Sequence, residues 1–142
     1  MLLRVFWLIV ISLLPLLSFV DPAQAKGVLY VCDITEKREG VGWIPNKMAI
    51  VVTQEGRVVV SDGIILRFNR RPMQVRVSRD TDQKMVLRWT LKDAMKSRNW
   101  KRPAFDYSAT LTKSNNSIAV YARPENSPNR FRGKGSCVPR YE

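Results

Sequence analysis

Few side chains in this 142-residue chain could do chemistry: it has two cysteines, 12 carboxylates, 24 lysines and arginines, and no histidine. Without an imidazole, the Ser-His-Asp and Cys-His arrangements of nucleophilic catalysis are excluded. Most zinc sites fall with them, since these need His or further Cys. Paired-carboxylate hydrolysis has candidates in Asp33, Glu36, Glu39, Asp62, Asp80, Asp82, Asp93, Asp106, Glu125 and Glu142, but no spacing singles out a pair. Most fall at predicted turns, and Asp106 falls on the outer face of a predicted strand. Gly133-Lys134-Gly135-Ser136 has the letters that end a phosphate loop but lacks the earlier glycine at the right spacing, so it reads as a glycine-kinked terminal strand. The expectation is a protein that is not an enzyme and carries no cofactor and no metal.

What remains is cationic. The formal net charge is +12 and the pI about 10.3, a field that attracts anionic partners and speeds their encounter. Arg67, Arg70, Arg71, Arg76 and Arg88 belong to one predicted hairpin system, and Lys96, Arg98, Lys101 and Arg102 crowd the segment around Trp100. Gathered together, they would form an anion-binding patch with an aromatic in it, suited to phosphate and other anions through forked guanidinium contacts. The plain alternative is a solvated outer face. Trp43 and Trp100 stand in predicted loops, where a tryptophan either folds back as a lid or is exposed as a contact.

Compartment narrows the choice of partner. Residues 1–25 carry Arg4, then the apolar run Val5–Leu17, and end in Ala23-Gln24-Ala25, the parts of a secretory signal peptide. Pro15, Ser18 and Asp21-Pro22 interrupt the run short of the roughly 20 apolar residues of a membrane anchor. Cleavage is expected after Ala25, leaving residues 26–142 as a single domain in the periplasm or outside the cell. There a cysteine pair persists and nucleic acid is scarce. An anionic envelope component, an acidic protein or a membrane surface are the expected partners.

The elements that must position these groups read as strand after strand. Val28–Ile34, Lys47–Thr53, Arg57–Ser61, Ile64–Phe68, Met73–Ser78, Lys84–Trp89, Phe105–Thr112, Ser117–Arg123 and Phe131–Val138 are the candidates. Alternation is cleanest where Met73, Val75 and Val77 oppose Gln74, Arg76 and Ser78, and where Phe105, Tyr107, Ala109 and Leu111 oppose Asp106, Ser108, Thr110 and Thr112. Asp62-Gly63 reads as a hairpin turn. Residues 91–102 fit a short helix or a long loop. Met73, Met85, Trp89, Phe105, Tyr107 and Leu111 are the predicted core.

Eight or nine short strands at hairpin spacing mean an all-β fold, either an up-and-down barrel or a sandwich. In a meander the first and last strands touch only if the sheet closes. A Cys32–Cys137 bond, which needs Cα atoms within about 7 Å, therefore favours an antiparallel barrel of about eight strands, with a β-sandwich as the alternative. Closing a loop of about 100 residues is worth about 4.7 kcal/mol in the chain-entropy model.

Tyr30-Val31-Cys32-Asp33 near the start and Phe131-Arg132-Gly133-Lys134-Gly135-Ser136-Cys137 near the end resemble the short exported, β-rich bacterial proteins of unknown function whose terminal strands are joined by a disulfide. That resemblance implies no catalytic residues. Periplasmic lysozyme inhibitors are also small disulfide-tied barrels, but their Ser-Gly inhibitory loop has no counterpart here. The expected function is thus a binding or accessory protein of the envelope acting through a basic surface, with an enzyme inhibitor or small-ligand carrier as the alternative.

Overall fold

A computed structural model describes residues 27–38, 42–92, 96–97, 100–101 and 104–141. The chain forms β1 (Val28–Lys37), β2 (Lys47–Val52), β3 (Val58–Asp62), α1 (Gly63–Asn69), β4 (Met73–Asp80), β5 (Lys84–Leu91), β6 (Lys96–Ser97), β7 (Trp100–Lys101), β8 (Phe105–Thr112), β9 (Ser117–Pro124) and β10 (Phe131–Tyr141). Eight of these strands close an antiparallel barrel in the order β1-β10-β9-β8-β5-β4-β3-β2, and β6 and β7 pair apart from it. This is the up-and-down barrel that hairpin spacing and the cysteine pair favoured over a sandwich.

Period-two alternation decides what lies inside. Along β8 each of Phe105, Tyr107, Ala109 and Leu111 is buried, and along β5 Met85, Leu87, Trp89 and Leu91 are. Trp89 and Tyr107 stack in the interior with ring centroids 5.3 Å apart. Met73, at the start of β4, is only partly buried and packs against this core. The Trp89 Nε1 is buried with no hydrogen-bond partner among the described residues.

Closure occurs at β1 and β10. Cys32 and Cys137 face each other in that ladder, Cα atoms 3.9 Å apart, and are disulfide-bonded. The ladder is unusually close beyond them. A Cβ on Gly135 would overlap the Asp33 carbonyl, and one on Gly133 would lie 2.6 Å from the Cγ2 atoms of Ile34 and Ile44. The two glycines of β10 are what let β1 approach beside its bulge between Ile34 and Glu36.

Two local expectations are corrected. Residues 64–68 are helix, not strand, and Asp62-Gly63 is not a hairpin turn. The Asp62 carboxylate accepts from the N–H groups of Ile64 at 2.7 Å and Ile65 at 2.8 Å, capping α1. Arg70, with φ 66°, ends it by donating its N–H to the Leu66 carbonyl. Ile64 and Ile65 are adjacent and both buried, which a strand's alternation forbids. The second correction falls in residues 91–102, which contain a small ladder of Lys96 with Lys101 and Ser97 with Trp100 rather than a helix or a plain loop. Arg98 and Arg102 lie outside the described residues.

Candidate anion-binding face

The expected patch divides between two places. Arg67, Arg70 and Arg71 are exposed on and just after α1, at one mouth of the barrel. Arg76 and Arg88 instead point out from the wall, opposite each other in the β4–β5 ladder. Lys96, Trp100 and Lys101 contribute backbone to the β6–β7 ladder. Trp43 folds back into the mouth: its ring stacks on Phe105 with centroids 4.0 Å apart, and its carbonyl accepts from the Tyr107 hydroxyl at 3.0 Å.

At the mouth, an open hollow of about 950 Å³ is lined by Thr35, Lys37, Arg38, Lys47 and Ile64 among others. Its lysines are already engaged. Lys37 Nζ donates to the Ile44 carbonyl at 2.8 Å, and Lys47 pairs with Asp33 at 2.6 Å. Burial pushes up the Tyr107 phenol and the Asp62 carboxyl, the latter opposed by the N–H groups of Ile65 and Ile64. Their hydrogen bonds tie the Trp43 loop and the start of α1 to this end of the barrel.

The wall is different. Arg88 faces Ser108 across β5–β8, Ser108 faces Tyr121 across β8–β9, and Tyr121 faces Arg132 across β9–β10. With Arg76 opposite Arg88, one outward row runs Arg76, Arg88, Ser108, Tyr121, Arg132. At about 4.8 Å per strand it spans about 19 Å. The Arg132 guanidinium lies over the Tyr121 ring, 5.3 Å from its centroid.

A second row runs beside it. Thr90 faces Asp106, and Asp106 faces Arg123. Arg130 stands one residue beyond the last ladder pair, Phe131 with Ala122, and so continues this row. The Thr90 hydroxyl donates to Asp106 at 2.8 Å, and Arg123 approaches the same carboxylate at 3.7 Å. Between the rows lies a groove of about 400 Å³ lined by Arg88, Asp106, Tyr107, Ser108, Arg123 and Arg130. Among the described residues, no carboxylate lies within salt-bridge distance of Arg76, Arg88, Arg130 or Arg132.

Ser108, Tyr121, Arg123, Arg130 and Arg132 were not among the expected site residues. The alternation of Tyr121 and Arg123 with buried Val120 and Ala122 gives their outward direction. Their meeting with Arg88 depends on ladder register, which no single strand carries.

No protein-family model, curated protein or solved structure matches the chain. Among the described residues there is no group of three or more Cys, Asp or Glu side chains placed to hold a metal, and no helix long and apolar enough to cross a membrane.

Proposed function

We propose that this protein is an exported, non-catalytic binding or accessory protein of the bacterial envelope that engages an anionic partner through the arginine wall of its barrel. The observation that carries this is the row Arg76, Arg88, Ser108, Tyr121, Arg132, flanked by Arg123 and Arg130. Surface cations are ordinarily scattered or paired. Here Arg76 on β4, Arg88 on β5 and Arg132 on β10, with Arg130 in the segment entering β10, are exposed without a described carboxylate partner. A repeated anion laid across the strands meets several of them at once, so weak individual contacts add. The secretory features of residues 1–25, with cleavage expected after Ala25, support an envelope location, and the buried disulfide fits an oxidising compartment.

The test is retention of the exported, disulfide-bonded protein on an immobilised polyanion as salt is raised. Affinity should fall linearly on a double-logarithmic plot, as counterion release requires. Arg76→Ala, Arg88→Ala and Arg132→Ala combined should weaken binding at least about tenfold and flatten the slope, with the unfolding midpoint unchanged. Retention equal to that of the unsubstituted protein would reject the proposal.

A further inference from the structure

The geometry points to a phosphate monoester as the group received by the groove between the two rows, held by Arg88, Arg123, Arg130 and the Ser108 hydroxyl. This rests on the anionic-partner reading above and names the anion.

Three features of the groove select that chemistry. Three arginines line the groove from three separate segments, Arg88 from β5, Arg123 from β9 and Arg130 from the segment entering β10, with Ser108 of β8 lining it too. A carboxylate has two oxygens in one plane and saturates one guanidinium fork. A phosphate monoester presents three terminal oxygens in a tetrahedron and can face three separate donors.

The second feature is charge. Three guanidiniums against the single carboxylate of Asp106 leave two positive charges, which match the roughly two negative charges of an ionised phosphate monoester. A diester or a carboxylate brings one.

The third is the state of Asp106. Its Oδ1 is held by the Thr90 hydroxyl at 2.8 Å, and its Oδ2 lies 3.7 Å from Arg123. That is well beyond the about 2.7–2.9 Å of a charge-assisted bond. Asp106 therefore orients Arg123 without saturating it, and the guanidinium retains donors for a ligand. The groove is on the outer wall, so the phosphate is pendant from something larger: a phosphorylated sugar of an envelope polymer or a lipid headgroup.

Isothermal titration of the exported protein with glucose 6-phosphate, dimethyl phosphate and glucuronate tests the anion. Glucose 6-phosphate should bind at least about tenfold more tightly than the other two. Its affinity should rise from pH 5 to pH 7 as the second phosphate proton, with a pKa of about 6, leaves; glucuronate should show no such rise. Arg123→Ala with Arg130→Ala should erase the preference, with the unfolding midpoint as the check on folding.

Vesicles distinguish the source. Stronger binding to phosphatidic acid than to phosphatidylglycerol in a phosphatidylcholine background places the monoester on a lipid. The soluble preference without a vesicle preference places it on a sugar. Equal affinity for the three soluble anions, or a preference that survives the double substitution, overturns the assignment. If polyanion retention persists in that case, only the identity of the anion has failed. If retention is also lost, the anionic-partner reading has failed with it.

Discussion

The barrel has two outer walls that share an interior and differ in almost every other respect. Across β4, β5, β8, β9 and β10 the outward residues include Arg76, Arg88, Arg123 and Arg132, together with hydroxyl side chains and Tyr121. On the opposite side, across β10, β1, β2 and β3, the outward rows are Val138, Val31, Ala49, Ser61 and Arg140, Leu29, Val51, Val59. Val138 is 61 % exposed and Val51 39 %. The charges within that apolar wall include Lys47 and Asp33, which neutralise each other at 2.6 Å.

The outward arginines of the first wall place positive charge unevenly around the barrel, and it is this unevenness that the proposed anionic partner would use. The walls meet at the β1–β10 ladder, where the disulfide lies. The seam therefore holds the arginine face in shape, and changes there should have the largest effects.

Replacing Cys32 and Cys137 together by alanine removes a link between residues 105 apart. The expected loss is about 4–5 kcal/mol on the chain-entropy scale, read as a lower urea midpoint. A loss below about 1 kcal/mol would mean that strand pairing alone closes the barrel and that the two walls do not depend on the staple.

Gly135→Ala acts on the same seam without touching the disulfide. The new methyl overlaps the Asp33 carbonyl, a backbone atom that cannot turn aside. The expected cost is about 2–3 kcal/mol, toward the upper end for overpacking, measured by denaturant unfolding. Gly56→Ala makes the contrast: it has open space but a φ of 81°, so its smaller cost, about 1 kcal/mol, is backbone strain and not collision.

How much of this was legible in the chain varies by element for physical reasons. The strands of the arginine wall were readable because Phe105 to Thr112 alternate strictly and Met85, Leu87 and Trp89 fall at every second position, and alternation is a local property. Closure was readable because only a closed meander brings Cys32 to Cys137. The helix was missed because Ile64-Ile65-Leu66 is apolar in a run, and Asp-Gly signals both a hairpin and a helix cap; the hydrogen bonds of Asp62 decide between them. Trp43 was undecidable locally, since the hydroxyl that holds its carbonyl belongs to Tyr107, 64 residues away. Arg76 and Arg88 were found by their outward parity. Arg123, Arg130 and Arg132 were not joined to them because that step needs three successive ladder registers.

Asp62 sits where the apolar wall ends, at the tip of β3. Asp62→Ala removes the cap of α1 and should cost about 1 kcal/mol. Asp62→Asn keeps an acceptor and removes the charge. Burial holds the Asp62 carboxyl above its ordinary value of 3.8, so its folded state binds the proton more tightly than the unfolded chain does. Its contribution is therefore fullest below about pH 3.8 and declines as pH rises through the folded pKa. Urea unfolding from about pH 3 to pH 6 should show Asp62→Asn gaining on the unsubstituted protein as pH rises. A gain in the reverse direction would show that the two N–H contacts outweigh burial.

The smallest effect bears most directly on the contrast between the walls. Val138→Ser and Val51→Ser change exposed side chains of the apolar wall, and exposed substitutions of this kind usually stay within about 0.5 kcal/mol. Stability and polyanion retention should both be unchanged by the pair. Arg132→Ala also changes an exposed side chain but lies in the arginine row, stacked on Tyr121. It should also leave stability nearly unchanged yet lower retention several-fold and reduce the salt slope by about one unit. The decisive quantity is the difference between the two variants at equal stability. If serine on the apolar wall lowered retention as much as alanine at Arg132, the partner would be wrapping the barrel without regard to charge, and the division into two walls would be one of composition with no consequence for binding.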